Sequence, residues 1–124
     1  MSSITLDTGA LIALERGAKR IRSILFEAQQ HGAPITVPAV VLAEWWRIDN
    51  KRNRLLLSRS NVEPTTERLA RIAGEAIAEV PTATAIDAIV MASAAQRGDT
   101  VFTSDIDDLE RLRRCFPSVR VLRV

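Results

Sequence analysis

Four carboxylates in apolar surroundings are the side chains of this 124-residue sequence best suited to chemistry. Asp7 follows the β-like run SITL, and Asp105 follows the run TVFT with one serine between, so both are expected just beyond strand ends. Glu44 lies in the helix-like run AVVLAEWW, and Asp87 lies in the helix-like run AIDAIVM. Because an isolated charge in an apolar interior costs several kcal/mol, carboxylates there need a partner, a proton or a metal ion.

Each acid taken singly also has a structural interpretation. Asp7 is placed to cap the helix that follows it, and Asp105 to cap a later helix, with Asp108 three residues on in the capping-box position. Glu44 is placed to pair with an arginine one turn later, and Asp87 to stabilise the N-terminal end of its helix. Two acids at strand ends together with two in apolar helices favour a shared site over four separate roles.

A shared pocket for four carboxylates predicts a divalent cation, because their repulsion would otherwise raise their pKa values and destabilise the fold at neutral pH. All-oxygen ligands favour Mg²⁺ or Mn²⁺, and Mg²⁺ keeps several water molecules. The predicted metal ligands and catalytic residues are Asp7, Glu44, Asp87 and Asp105. The groups predicted to hold the water molecules of the metal are Thr8, Thr103, Ser104 and Asp108.

The basic residues are almost all arginines, since Lys19 and Lys51 are the only lysines among seventeen basic residues. With the four candidate acids set aside, the rest of the chain has eleven acidic and seventeen basic residues. This balance predicts a basic surface around an acidic centre, which is suited to binding a polyanion. The predicted RNA-contacting cluster is Arg47, Lys51, Arg52 and Arg54, with Arg59 nearby. A solvated helix face is the alternative interpretation of this cluster, and GC-rich coding is the alternative source of the arginine bias.

Strand-like and helix-like segments alternate along the chain and must position these side chains. The predicted strands are Ser3–Leu6, Ile35–Val37, Val62–Pro64, Thr100–Thr103 and Val119–Val124. The predicted helices are Thr8–Arg16, Lys19–Gln30, Pro38 to about Leu56, Thr65–Glu79, Thr84–Arg97 and Ile106–Arg114. This alternation predicts a single α/β domain over residues 1–124, with helices on both faces of a parallel sheet and the site at the carboxyl ends of its strands.

Composition excludes several classes of protein. Apolar residues make up 47% of the chain, which excludes wholesale disorder, and no apolar run is long enough for a membrane span. The single cysteine, Cys115, cannot form an internal disulfide, and the single histidine, His31, excludes chemistry that needs two imidazoles. The N-terminal letters MSSITLDTGA do not resemble a secretory signal, so a reducing cytoplasm is expected.

The sequence around the four acids is similar to that of a known family. The frames are ITLDTGAL around Asp7, VPAVVLAE up to Glu44, AIDAIVMA around Asp87 and VFTSDIDDL around Asp105. In this order and at this spacing, they resemble the motifs of PIN-domain ribonucleases, and in particular the VapC-type toxins of bacterial toxin–antitoxin pairs. The resemblance covers nearly the whole chain.

The resemblance implies a three-layer α/β/α sandwich with a parallel five-stranded sheet. It implies endonuclease cleavage of RNA that depends on Mg²⁺ or Mn²⁺, with Asp7, Glu44, Asp87 and Asp105 as the acidic quartet. Hydrolysis by water would leave 5′-phosphate and 3′-hydroxyl ends. The resemblance also implies a homodimer held inactive by a cognate VapB-type antitoxin.

Two other functions fit the same residues. One is a non-catalytic binding module of this fold, and the other is a PIN nuclease that acts in RNA processing rather than as a toxin. A phospho-acceptor receiver domain fits poorly, because it needs a lysine after a late strand and both lysines are early.

Overall fold

A computed structural model describes residues 3–124 of the chain as one α/β unit. Its strands are β1 (Ile4–Leu6), β2 (Ile35–Pro38), β3 (Asn61–Glu63), β4 (Thr100–Thr103) and β5 (Arg120–Arg123). Its helices are α1 (Thr8–Glu15), α2 (Lys19–Gln30), α3 (Ala39–Trp45), α4 (Lys51–Ser58), α5 (Glu67–Glu79), α6 (Ala85–Ala95) and α7 (Ile106–Leu112). The predicted alternation of strands and helices is confirmed.

The five strands form one parallel sheet in the order β3-β2-β1-β4-β5. The chain steps in one direction from β1 to β3 and in the other direction from β3 through β4 to β5, so right-handed crossovers place helices on both faces. The strand order therefore reverses at the central strand β1. Ligand sites in such sheets lie beyond the carboxyl ends of the strands at this reversal, where Asp7 follows β1.

The predicted long helix from Pro38 to about Leu56 is wrong, because the chain forms two helices there. α3 ends at Trp45, and α4 begins at Lys51. The Asn50 side chain caps α4, since its Oδ1 accepts a hydrogen bond from the backbone nitrogen of Asn53 at 2.8 Å. An asparagine that satisfies a free backbone donor favours a new helix start over continuation of the old one.

The core is formed by aliphatic side chains from both faces of the sheet. The largest fully buried side chains are Ile4, Leu6, Leu11, Ile21, Met91, Leu109, Leu112, Val37, Val41, Val90, Val101 and Val119. Helix α6 ends at Ala95, two residues before the predicted end at Arg97, and Gly98 lies in the turn that follows with a φ of 70°, a conformation that glycine adopts at little cost. None of the helices within residues 3–124 is long and apolar enough to cross a bilayer.

A buried ionic network ties the sheet together at the start of β4. Asp99 is fully buried and accepts hydrogen bonds from the Ser3 hydroxyl, from Thr5 Oγ1 at 2.7 Å and from Arg97 Nε at 2.9 Å. Arg97 also donates from Nη1 to Glu63 Oε2 at 2.7 Å. The network therefore joins β1, β3 and the segment between α6 and β4.

Candidate active site

The carboxyl ends of β1 and β4 bring two of the predicted acids to the same edge of the sheet. The two strands pair directly, with Leu6 opposite Phe102, and Asp7 continues the pairing because its backbone nitrogen donates to the Phe102 carbonyl at 3.4 Å. Thr103 ends β4 fully buried, and its Oγ1 accepts a hydrogen bond from the backbone nitrogen of Asp105 at 2.9 Å. Asp7 and Asp105 thus follow strand ends at one edge of the sheet, as the sequence predicted, and the structure adds that these two strands are neighbours.

Asp7 caps α1 and also carries a perturbed carboxyl group. Its Oδ1 accepts a hydrogen bond from the Ala10 backbone nitrogen at 2.9 Å, which is the structural role that the sequence allowed. The side chain is 7% exposed, and this burial raises its pKa. Hydrogen bonds from Thr103 and Ala10 oppose that rise, whereas the negative charge of Asp105 adds to it. Capping and membership of an acidic site are therefore compatible at this position.

Asp87 lies in the first turn of α6 and faces the same acids. Its backbone nitrogen donates to Thr84 Oγ1 at 3.1 Å, so Thr84 caps the helix and leaves the Asp87 carboxyl group free of that role. Burial raises the pKa of Asp87 to about 6, and the charges of Asp7, Asp108 and Asp105 add to the rise. The Asp87 carboxyl group therefore lies within electrostatic range of the acids at the edge where β1 and β4 end.

Asp105 and Asp108 form a pair at the outer side of this acidic edge. A hydrogen bond between the two carboxyl groups raises the pKa of Asp105 and lowers that of Asp108. Asp105 occupies the N-cap position of α7 but makes no side-chain capping bond, so the capping-box interpretation of these residues is wrong. The charges of both residues raise the pKa of Asp87, so the pair adds to the repulsion at this edge.

Glu44 lies at the margin of the acidic edge and is exposed. Its Oε1 accepts a hydrogen bond from Thr8 Oγ1 at 2.6 Å, which ties it to the residue after Asp7. The expectation that Glu44 lies in apolar surroundings is wrong, because α3 presents Val41 and Trp45 to the core and leaves Glu44 in solvent. Arg47 donates from Nε to the Glu44 backbone carbonyl at 3.1 Å, so it does not pair with the carboxylate.

The carboxylate and hydroxyl oxygens at this edge are the types of ligand that a hard divalent cation prefers. Asp7 and Asp87 are buried and half-buried carboxylates with raised pKa values there, and a bound cation would relieve the repulsion that they experience. Across residues 3–124, no three acidic, histidine or cysteine side chains are already arranged around one ion position. Mg²⁺ needs only one or two direct carboxylates and keeps several waters, so the outer acids and the Thr8 and Thr103 hydroxyls can act through water.

The predicted RNA-contacting cluster does not form one continuous track. Arg47 lies beside Glu44, whereas Arg52 donates from Nη2 to the Glu15 carbonyl at the far end of α1. Arg54 pairs with Asp49 at 3.2 Å in an exposed ion pair. Lys51 is exposed at the start of α4. Arg47 is thus the member of the cluster placed next to the acids.

Arg111 is a further neighbour of the acidic edge, beyond the residues predicted for the site. It forms an ion pair with Asp108. Its positive charge opposes the rise in the pKa of Asp105 and contributes to the lowering of the pKa of Asp108. The signal in the sequence was the i, i+3 spacing of Asp108 and Arg111 on one helix face. Arg111 brings a guanidinium group to the rim of the acidic edge.

A separate groove of about 1180 Å³ lies between α2 and α4. Phe26, Leu55 and Trp45 are among its apolar lining residues, and none of the four candidate acids lines it. The candidate site is therefore recognised by its converging carboxylates and its place in the sheet, and not by the size of a cavity.

The raised pKa of Asp87 predicts how the stability of the metal-free protein depends on pH. Its folded-state pKa of about 6 exceeds the ordinary aspartate value of 3.8, so the folded state binds the proton more tightly than the unfolded chain does. This contribution to stability is fully present below the unfolded pKa and is lost as the pH rises through the folded pKa. In EDTA-treated protein we expect the Tm to fall by about 5 °C between pH 5 and pH 7.5.

Differential scanning calorimetry of the wild type and of Asp87→Asn across this pH range checks the prediction. The Tm of the Asp87→Asn variant should fall much less over this range, since an asparagine side chain does not titrate. A wild-type Tm that rises over the same range would contradict the prediction.

The model of the PIN-domain family matches residues 4–114. A chain of VapBC2 from Rickettsia felis, bound to a DNA fragment from the promoter, superposes with a TM-score of 0.77 at 17% identity, covering 100% of this chain and 99% of that chain. A chain of DNA-bound VapBC from Salmonella typhimurium gives 0.74 at 20% identity, with 99% and 98% covered. A chain of FitAcB from Neisseria gonorrhoeae gives 0.63 at 20% identity, with 96% of each chain covered.

These structural similarities show a shared fold over almost the full length of the chains. No curated protein sequence matches the chain. The match to the family model covers most of the chain and includes Asp7, Glu44, Asp87 and Asp105. The chain therefore belongs to the PIN-domain family.

Proposed function

We propose that this PIN-domain protein is a Mg²⁺- or Mn²⁺-dependent endoribonuclease. The observation that carries the proposal is the group of acids beside the carboxyl end of the central strand, where the charge of Asp105 raises the pKa of Asp7 and the charges of Asp7 and Asp105 raise the pKa of Asp87. Clustered carboxylates that repel one another weaken a fold unless they bind a cation. A cation held by oxygen ligands is suited to the hydrolysis of phosphodiesters.

Asp7 and Asp87 are the proposed direct ligands, since burial and repulsion give them most to gain from a cation. Asp105 and Glu44 complete the proposed acidic quartet at the outer side of the edge. When bound, the ion would supply positive charge for the scissile phosphate and make a water molecule more acidic. Thr103 holds the Asp7 carboxyl group and the Asp105 backbone in place through its hydroxyl.

Positively charged groups at the rim are proposed to receive the RNA backbone. Arg47 lies beside Glu44, and Arg111 lies beside Asp108, so guanidinium groups are present on two sides of the acids. Guanidinium groups bind phosphate oxygens through paired hydrogen bonds. Lys51, Arg52 and Arg54 lie on α4, away from this rim, and would make a separate contact with the RNA.

The nuclease test is cleavage of a labelled RNA mixture by the purified chain, with and without metal. We expect cleavage in Mg²⁺ or Mn²⁺, a loss of at least about 100-fold in excess EDTA, and 5′-phosphate ends on the products. Restoring activity by adding back Mn²⁺ controls for damage by the chelator. Cleavage that persists unchanged in EDTA would contradict the metal requirement, and a chain that binds Mn²⁺ without cleaving RNA would favour a non-catalytic binding module.

We further propose that the protein acts as the toxin of a VapBC-type pair, as a homodimer with a VapB-type antitoxin. This is supported by fold similarity over nearly the whole chain to members of complexes described as VapBC2 and VapBC. The test is to express the chain with and without the product of a neighbouring small gene. Growth arrest relieved by that product, and copurification with it, would support the toxin. Cleavage of a defined precursor RNA without growth arrest would favour a role in RNA processing. The proposed homodimer is tested separately, by light scattering of the purified protein.

A further inference from the structure

Gly9 lies in the first turn of α1 and packs directly against the loop between β4 and α7. A Cβ atom added to Gly9 would overlap Ser104 Oγ and would lie 3.0 Å from the Ser104 backbone nitrogen and 3.1 Å from its Cβ. Ser104 is exposed, so its hydroxyl can rotate away from such an atom. Rotation of the hydroxyl cannot relieve the contacts with the backbone nitrogen and Cβ of Ser104. These contacts require the loop to shift by a few tenths of an ångström.

The Ser104 loop is held firmly on its strand side. The carbonyl of Thr103 accepts a hydrogen bond from the Val124 backbone nitrogen at 3.0 Å, and Thr103 is fully buried. The Thr103 hydroxyl in turn accepts the bond from the Asp105 backbone nitrogen. A displacement caused by a Cβ at position 9 would therefore fall on Ser104 rather than on β4, and it would strain the hydrogen bond between the Asp105 backbone and Thr103.

The helix side of the contact is equally fixed. Asp7 caps α1 through Ala10, and the Leu11 backbone nitrogen donates to the Asp7 carbonyl at 3.1 Å, so the first turn of the helix is tied to Asp7 itself. Gly9 thus lies between two predicted metal ligands, with Asp7 two residues before it and Asp105 directly after the residue that it contacts.

We infer that Gly9 is a positioning residue, whose missing side chain lets the first turn of α1 approach Ser104 and so sets the position of Asp105 relative to Asp7. This inference rests on the proposed metal-dependent nuclease site. Gly9 does not adopt a positive φ, so its backbone conformation does not require glycine. What the position requires is the absence of a Cβ atom, which allows the two segments to approach closely. Alanine would favour the helix more than glycine does, so the expected cost falls on the site and not on the fold.

The experiment compares Gly9→Ala, Ser104→Gly and the double variant with the wild type. For Gly9→Ala we expect shifted amide NMR signals of Ser104 and Asp105, a Kd for Mn²⁺ raised about fivefold and RNA cleavage lowered about tenfold, since a misplacement of ~1 Å can cost on the order of 100-fold. In the Ser104→Gly background, the same substitution should lower cleavage by less than about threefold, because the contacts with Ser104 Oγ and Cβ are gone and only the contact with the backbone nitrogen remains.

Gly74→Ala is the matched control. Gly74 is exposed on α5, and a Cβ there meets open space, so this variant should keep wild-type Mn²⁺ affinity, amide signals of the loop and cleavage. Unshifted Ser104 and Asp105 signals with unchanged Mn²⁺ affinity in Gly9→Ala would overturn the inference, as would equal losses in both Ser104 backgrounds. A wild type that neither binds Mn²⁺ nor cleaves RNA would overturn the proposed function, and the amide signals would then decide the Gly9 contact by themselves.

Discussion

Replacement of Asp7 by asparagine should lower RNA cleavage by at least about 100-fold while the protein stays folded and its Tm does not fall. Loss of a group that merely orients a metal ligand typically costs 10–100-fold, so loss of a buried direct ligand should cost at least the upper end of that range. Asparagine retains an oxygen that can accept the Ala10 hydrogen bond, so the cap of α1 survives. It also removes a buried charge that Asp105 repels.

The measurement combines initial rates of RNA cleavage, Mn²⁺ affinity by calorimetry and thermal unfolding. Glu75→Gln is the matched control, since Glu75 is exposed on α5 and the same change from carboxylate to amide should leave all three quantities unchanged. Mn²⁺ affinity should fall with activity in Asp7→Asn. Cleavage above a tenth of the wild-type rate would contradict the role of Asp7 as a metal ligand.

The two strand-end acids could be predicted from sequence because their positions follow from local pattern. Short β-branched runs predict β1 and β4, and parallel strands bring their carboxyl ends to one edge whatever their order. The alternation of elements did not determine that β1 and β4 are neighbours. That adjacency is a tertiary feature, and it is what brings Asp7 and Asp105 together.

The exposure of Glu44 could not be predicted from the sequence pattern. The run AVVLAEWW is apolar on every side, so it does not distinguish the face of α3 that meets the core from the face that meets solvent. In the structure Val41 and Trp45 are buried, while Ala43 and Glu44 are exposed. The break after this helix was missed for a related reason, because the apolar residues on either side suggested continuity and the cap at Asn50 is a local competitor of the helix.

Asp99 is a buried acid that the sequence reasoning did not single out. Between Gly98 and the start of β4 it reads as an ordinary turn residue, since aspartate is common in turns. Its partners Ser3 and Thr5 are more than ninety residues away along the chain. The strands that leave this network, β1 and β4, are the ones that end at Asp7 and Asp105, so a structural acid and two candidate catalytic acids share the same two elements.

Replacement of Arg97 by methionine should therefore destabilise the protein by about 3 kcal/mol, because removal of one partner leaves the other charge buried and unpaired. The Arg97 side chain is 25% exposed and that of Asp99 is 0% exposed, so the cost is set at the lower end of the range for buried pairs. Glu63 would lose the same partner, which loosens β3 at the edge of the sheet. Urea unfolding at pH 7 measures the change.

Arg71→Met is the matched control, since Arg71 pairs with Glu67 on the exposed face of α5 and its loss should cost less than about 0.5 kcal/mol. The double variant Arg97→Met/Asp99→Asn should recover part of the stability, because the unpaired buried charge is removed. A cost below about 1 kcal/mol for Arg97→Met, with no recovery in the double variant, would show that the Asp99 carboxylate does not depend on Arg97. The network would then be held by the Ser3 and Thr5 hydroxyls, and β1 rather than α6 would anchor the start of β4.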